Sequence, residues 1–286
     1  MTLTNRVFGE IQVLGVSKSY GPNGNGELVL EDCTLEIKRG KLTVLMGPSS
    51  CGKTTLINVI AGYETPTGGQ VLLDGQPVTG PGKDRLVVFQ ESTLFPWMTV
   101  LQNVTFGCIV QGVPRKEAEE RAMEFLEIVG LKDFKDKYPA HLSGGMQRRA
   151  ELARAMINDP KVMILDEPFR GLDAMTRGIM QEFYVGLFER IGRTNLFVTH
   201  DLEEALFLAD RLVIMTYKPG TVKAIIDIDH PRPRKVQVMA TPRYNELRRY
   251  ALELLYEEAS KAYAAGSKAA FDLIDGFNRS RLANSS

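Results

Sequence analysis

Apolar and polar positions along this chain change period several times. Residues 11–16 (IQVLGV) and 28–37 (LVLEDCTLEI) alternate as half-buried strands do, and GPNGNG between them is rich in turn formers. LTVLM at 42–46 is a short apolar run that predicts a buried strand, and QVLL at 70–73 and LVVF at 86–89 predict two more. From about Val100 to Ile157 helical spacing takes over. RKEAEERAMEFLEIVG puts Ala118, Ala122, Phe125 and Val129 on one face, with Gly130 as the stop. MQRRAELARAMI puts Met146, Ala150, Ala153 and Ile157 on another. Strand patterns then return at 162–165, 195–199, 211–215 and 222–228, and Asp201 predicts the cap of a further helix with Glu204 at its third position. Strands alternating with helices predict an α/β core with a mainly parallel sheet, interrupted by a helical insert. Beyond the proline-punctuated connector DHPRPR (229–234), Tyr244, Leu247, Ala251, Leu254 and Leu255 recur at helical spacing. That pattern predicts a helix packed on its own domain rather than one docking a partner.

Composition narrows the classes. Of 286 residues, 44% are apolar, enough for a sizeable core. Lys+Arg and Asp+Glu both number 35, so no basic field invites nucleic acid and none is expected as a partner. Three cysteines, an odd number, argue for a reducing compartment. The segment MTLTNRVFGE lacks the apolar run of a secretory signal, and no stretch approaches the ~18 apolar residues of a membrane span. Membrane business is expected to go through a partner.

Two glycine-rich segments carry the candidate chemistry. Gly47, Pro48, Ser49, Ser50, Cys51, Gly52, Lys53 and Thr54 fit G-x-x-x-x-G-K-[ST] completely, after a predicted strand and before the helical TTLINVIAG, whose second residue is Thr55. Glycines let backbone N–H groups turn inward around phosphate oxygens, and the helix N-terminus adds positive potential. Lys53 is expected to reach the outer phosphates, and Thr54 to ligate Mg²⁺. Cys51, beside Lys53 and a helix N-terminus, is expected to have a lowered thiol pKa; it reads as a small residue that simply fits the loop rather than as a redox group, and either way is expected to react with thiol reagents unless nucleotide protects it. VMILDEP at 162–168 is an apolar strand ending in two carboxylates. Successive strand residues point to opposite sides, so Asp166 is assigned to the metal's hydration shell and Glu167 to the attacking water. The second segment, LSGGMQRR at 142–149, again places a serine and glycines before a helix, in a chain that already has a phosphate loop.

These motifs together resemble the ATP-binding subunits of ABC transporters, over roughly residues 8–230. The resemblance implies a P-loop NTPase core with an antiparallel β subdomain, a helical subdomain inserted at about 91–158, and a C-terminal helical extension at 231–286. It implies that Gln90 in VVFQ senses Mg²⁺ and the transmembrane partner. It makes His200 in FVTHD the switch histidine at the γ-phosphate, Asp173 in GLD part of the D-loop, and Tyr20 in SKSYG the aromatic that stacks on adenine. It also explains the second loop: two subunits meet head to tail, and Ser143, Gly144, Gly145 and Gln147 serve the partner's ATP. ATP and Mg²⁺ are the implied ligands. A second ATP-binding subunit, permease subunits and, indirectly, a solute-binding protein are the implied partners. The implied location is the cytoplasmic face of the inner membrane.

The finer texture, GQPVTGPGKDRLVVFQESTLFPWMTVLQNV with the GMQ form of the signature and HPRPR, resembles importers of the nitrate/sulfonate/taurine group. An exporter or lipid-transport ATPase is the alternative within the family. Soluble ABC proteins of DNA repair or translation are disfavoured by the single cassette, and a P-loop GTPase by the absence of an NKxD-type motif. Trp97 is expected either to meet a permease or to pack inside the helical insert. Arg170 departs from the small residue usual before the D-loop, with an effect on electrostatics that the sequence leaves open.

Overall fold

The computed structural model describes residues 9–22 and 26–266. Residues 1–8 of the segment lacking a signal-like run, part of the GPNGNG turn, and residues 267–286 of the C-terminal extension lie outside them. Two sheets organise the chain. The antiparallel sheet is built from β1 (Ile11–Ser19), β2 (Leu28–Ile37), β4 (Gly68–Leu73) and β5 (Gln76–Pro77), in the order β2-β1-β4-β5. The larger sheet adds β3 (Leu42–Met46), β6 (Arg85–Val88), β7 (Val162–Asp166), β8 (Thr194–Val198), β9 (Arg211–Met215) and β10 (Val222–Asp227), in the order β10-β9-β3-β8-β7-β6. All its neighbours pair in parallel except β10, which closes one edge antiparallel to β9.

β3 and β8 are buried along their whole lengths, as expected of strands covered on both faces. One face of the sheet packs with the antiparallel sheet and α1 (Lys53–Ala61), through Leu45, Leu56, Ile60, Ile164 and Val198. The other face packs on α4 (Gly144–Met156), α5 (Ala174–Ile191) and α6 (Leu202–Leu208), through Val44, Leu165, Phe169, Tyr184 and Phe197.

The stretch between β6 and β7 is helical as predicted, with α2 (Val100–Val110) and α3 (Arg115–Ile128) ahead of α4. Thr99 and Gln102 form a reciprocal capping box at the start of α2. Along α3 and at Val129 just past its end, Ala118, Ala122 and Val129 are buried as the periodicity requires, and Leu126 is buried in place of Phe125, which is only partly so. The long helix α5 has no counterpart in the hydrophobic pattern. Exposed Met175 and Ile179 lie on the side opposite its buried Met180, Tyr184 and Phe188, which blurs the period.

Asp201 caps α6 by accepting from the Glu204 amide at 3.1 Å, as the sequence predicts. α7 (Pro242–Ala264) buries Tyr244, Leu247, Ala251 and Leu255 against its own domain, beside α6 and β9. The Tyr244 hydroxyl donates to the Glu203 carboxylate at 2.7 Å, and Arg248 pairs with the same carboxylate, so α6 and α7 are tied.

Candidate nucleotide site

Four loops leave the C-terminal ends of parallel strands at one edge of the sheet: the glycine loop after β3, Gln90 after β6, Asp166-Glu167 at the end of β7, and His200 after β8. Open α/β sheets bind ligands at this edge. The loops line a cleft of about 830 Å³ with Tyr20, Ser49, Ser50, Lys53, Thr54, Thr55, Gln90, Asp166, Glu167, Arg170 and His200 among its walls.

The glycine loop is shaped by its sequence. Gly52 sits at φ 95° at the start of α1, and a Cβ there would lie 2.7 Å from Leu30. Only glycine fits both constraints. Pro48 accepts from the Cys51 amide at 3.3 Å, and Gly47 and Pro48 carbonyls accept from Lys53 Nζ at 2.8 and 2.9 Å, so the lysine is folded across the loop mouth. Ser49, Ser50 and Thr54 are exposed to the cleft.

Cys51 departs from expectation. It is fully buried in the core beneath the loop, and burial pushes its thiol up although Lys53 pulls the other way. Desolvation outweighs the nearby charge here, so the expectation of a lowered thiol pKa is corrected; Cys51 is a small buried residue that fits the turn.

Both carboxylates line the cleft, and Glu167 lies just beyond the end of β7, outside the strand alternation that the sequence reading relied on. Burial first, and then the charge of Glu167, push the Asp166 carboxyl up, against the opposing pull of Lys53 and the Thr54 hydroxyl. Glu167 adopts a positive φ of 42°, a conformation sustained by its amide's bond to the Val198 carbonyl at 3.0 Å and by the Arg170 amide donating to its own carbonyl at 3.1 Å. Its Oε2 lies 3.2 Å from His200 Nδ1 and 3.1 Å from Arg170 Nη1. The hydrogen bond with His200 holds the Glu167 carboxyl below its usual range and raises the histidine. The donor set of Thr54 hydroxyl, Asp166 carboxylate and Gln90 amide is all hard oxygen, which fits Mg²⁺ carried in with phosphates.

Tyr20 lines the same cleft. Its hydroxyl donates to Glu64 Oε2 at 2.7 Å, and Lys18 Nζ lies 5.2 Å from its ring centroid. That leaves a half-exposed ring held edgewise by Glu64, a partner with no sequence signal of its own. Glu27 and Lys218, paired at 2.6 Å, also line the cleft and were not foreseen.

The second glycine segment is not part of this cleft. Ser143 caps α4 by accepting from the Met146 amide at 3.4 Å; Ser143 and Gly144 are exposed, Gly144 lining a neighbouring cavity with Gln90 and Arg170, whereas Gly145 is buried. Gln147 turns inward instead: its amide donates to the Pro139 and Leu142 carbonyls at 2.9 and 3.3 Å, so it buttresses its own loop rather than facing outward. Asp173 caps α5 through the Thr176 amide at 3.0 Å.

One connection escaped the sequence. Arg148 and Glu151 form a buried ion pair at 2.7 Å; Arg148 also donates to the Phe89 and Gln90 carbonyls at 2.7 and 2.6 Å, and Glu151 accepts from the Thr93 amide at 2.6 Å. The helix behind the second glycine segment thus clamps the loop bearing Gln90. Trp97 is 68% exposed against Phe95, which in turn packs on Phe106, and Ile109 and Val110 are also exposed, so packing of Trp97 inside the insert is ruled out.

A family model for ABC transporters matches residues 30–170, from β2 through the signature and Asp166-Glu167 to Arg170. An ABC transporter ATP-binding protein of Methanocaldococcus jannaschii, itself uncharacterised, is 45% identical over 90% of this chain and 96% of its own. The chain belongs to the ABC transporter family of ATP-binding proteins. Among relatives of this cassette, the taurine import ATP-binding protein TauB of Roseobacter denitrificans is 45% identical over 70% of this chain and 75% of its own. The bicarbonate transport ATP-binding protein CmpC of Synechococcus elongatus is 43% identical over 87% of the cassette, which spans only 38% of that protein. A dimeric ATP-binding cassette solved in a post-hydrolysis state with ADP and Pi superposes with a TM-score of 0.66 at 30% identity, covering 77% of this chain and all of that one. The cassette therefore has the ABC ATPase fold, and its relatives include ATP-binding proteins named for taurine import and bicarbonate transport.

Proposed function

We propose that the cassette hydrolyses ATP to power uptake of a small anion, as the motor of a membrane importer. The observation that carries this reading is the convergence of Lys53, Thr54, Asp166, Glu167, Gln90 and His200 on one cleft, with the exposed Ser143 and Gly144 outside its lining. A cleft so built binds the triphosphate through the loop amides and Lys53, and stacks adenine on Tyr20. Mg²⁺ held by Thr54, Asp166 and Gln90 would offset charge on the phosphate oxygens. Glu167 takes the proton of the attacking water, and His200 reaches the γ-phosphate. The exposed Ser143-Gly144 at a helix N-terminus suits a second anion, and that anion is the γ-phosphate of a partner cassette in a head-to-tail dimer.

The ATP-binding domain in this reading spans 8–230, with the helical insert at 91–158 and an extension from 231. The exposed Trp97, Phe106, Ile109 and Val110 form the face for a permease. No described helix is long and apolar enough to cross a membrane, so the cassette works from the cytoplasmic face through such subunits, with a solute-binding protein supplying the solute. Relatives named for taurine and bicarbonate support a small anion as the solute.

The test is Glu167→Gln beside wild type. Turnover should fall by at least ~10²-fold, the usual share of a positioned base, with ATP binding retained and dimers trapped by ATP. A variant that keeps most of its turnover refutes Glu167 as the base. One that binds ATP only as a monomer refutes the role given to Ser143 and Gly144.

A further inference from the structure

The turn after β7 carries an arginine that the reading above leaves without a task. Glu167-Pro168-Phe169-Arg170 is closed by the Arg170 amide donating to the Glu167 carbonyl at 3.1 Å. Phe169 is buried and packs on Tyr184 and Phe197, with ring centroids 6.0 and 5.6 Å away, so the turn is anchored in the core. Arg170 is thereby fixed at its backbone while its side chain is 55% exposed at the cleft. Its guanidinium reaches back three residues to Glu167 Oε2 at 3.1 Å, the oxygen that also bonds His200 at 3.2 Å. Arg170 has no other hydrogen bond among those described.

We infer that Arg170 is a positioning residue that holds the Glu167 carboxylate in reserve and releases it when the γ-phosphate enters the cleft. Two donors converging on Oε2 hold the carboxylate in one orientation, so that it does not turn to meet a water elsewhere in the cleft. The incoming phosphate is an anion within the same cleft, and it competes for both donors. His200 and Arg170 then leave Oε2 together, so the base is freed only when there is a phosphate to attack. An exposed arginine suits this task because its pairing is weak enough to exchange. The inference rests on Glu167 being the base.

The experiment uses the full chain and steady-state ATPase of wild type, Arg170→Ala, Arg170→Lys, Glu167→Gln and the Glu167→Gln/Arg170→Ala double variant. Removing an ion pair of this exposure should raise kcat by about two- to fivefold, because the pair persists in part of the ATP-bound population. Arg170→Lys should fall between wild type and alanine. In the Glu167→Gln background the alanine change should do nothing to the residual rate. A second readout needs no nucleotide. With only three histidines in the chain, the His200 ring nitrogens are assignable by ¹⁵N NMR against His200→Ala. In nucleotide-free protein Arg170→Ala should move them, because the two side chains share Oε2.

A lowered kcat would mean that Arg170 serves the phosphate during the reaction rather than restraining the base, and would overturn the inference. So would an unmoved histidine signal or an unchanged kcat. If Arg170→Ala shifts the histidine signal but Glu167→Gln retains wild-type turnover, it is the assignment of the base that fails.

Discussion

Removing the Glu151 carboxylate should cost the cassette much of its thermal margin. Glu151 is 3% exposed and Arg148 7%, and their contact at 2.7 Å has no water to replace it. In Glu151→Ala the guanidinium stays buried without its counter-charge, and breaking such a pair costs about 3–5 kcal/mol. Arg148 keeps the Phe89 and Gln90 carbonyls, which points to the lower end, about 3 kcal/mol. At roughly 2–4 °C per kcal/mol for a domain of this size, the melting temperature should drop by about 6–12 °C. The Thr93 amide also loses its acceptor, so the loop bearing Gln90 should exchange its amides faster. Differential scanning fluorimetry at one fixed scan rate, with hydrogen exchange over residues 89–94, reads both effects. The double variant Arg148→Met/Glu151→Leu is the control: replacing both partners by apolar groups should restore most of the lost temperature. A single variant within about 2 °C of wild type, or a double variant as unstable as the single, would refute the clamp as drawn.

Two further outcomes follow from burial and charge. Cys33, Cys51 and Cys108 are all buried, with the Cys33 thiol pushed up to about 12, so Ellman's reagent at neutral pH should titrate almost no thiol until urea is added; fast labelling of Cys51 in the native chain would contradict its place in the core. Partial burial opposes the charge on Asp74, yet Lys161 at 2.8 Å, the Glu10 amide at 3.1 Å and Arg39 at 2.8 Å together hold its carboxyl below the usual range. A depressed folded value means stability that is full above the unfolded carboxylate pKa, near ~4, and is lost as pH falls through the folded value. Asp74→Asn, which also tolerates the positive φ of 50° there, should trail wild type in urea melts at pH 7 and close the gap below about pH 3; a gap constant with pH would count against the assignment.

What the sequence made legible was whatever is written in local order. The phosphate loop between a buried strand and a helix, the carboxylate pair at a strand end and the cap at Asp201 all depend on neighbours in the chain. The connections that fix the site's shape depend on distant partners. Arg148 and Glu151 read as ordinary helix charges, although both fall within the apolar stripe that includes Leu152 and Ala155, a signal that would have marked them as buried. Cys51 was misread because a helix terminus and a lysine are visible in sequence, whereas depth is not. Gln147 lies beside exposed residues yet bonds inward, since only the fold brings the Pro139 carbonyl beneath it. The antiparallel edge strand β10 looks like any parallel one until its pairing is known.

The tie between α6 and α7 bears on how this molecule can be handled at the bench. His200 lies two residues ahead of α6, and α6 is fastened through Glu203 to Tyr244 and Arg248. A chain cut short before Tyr244 would therefore not merely shed a tail. It would loosen the seat of the histidine on the far side of that short helix. Conversely, a fluorophore placed on the exposed Tyr250 of α7 would report on His200 from a distance, without a label ever entering the cleft.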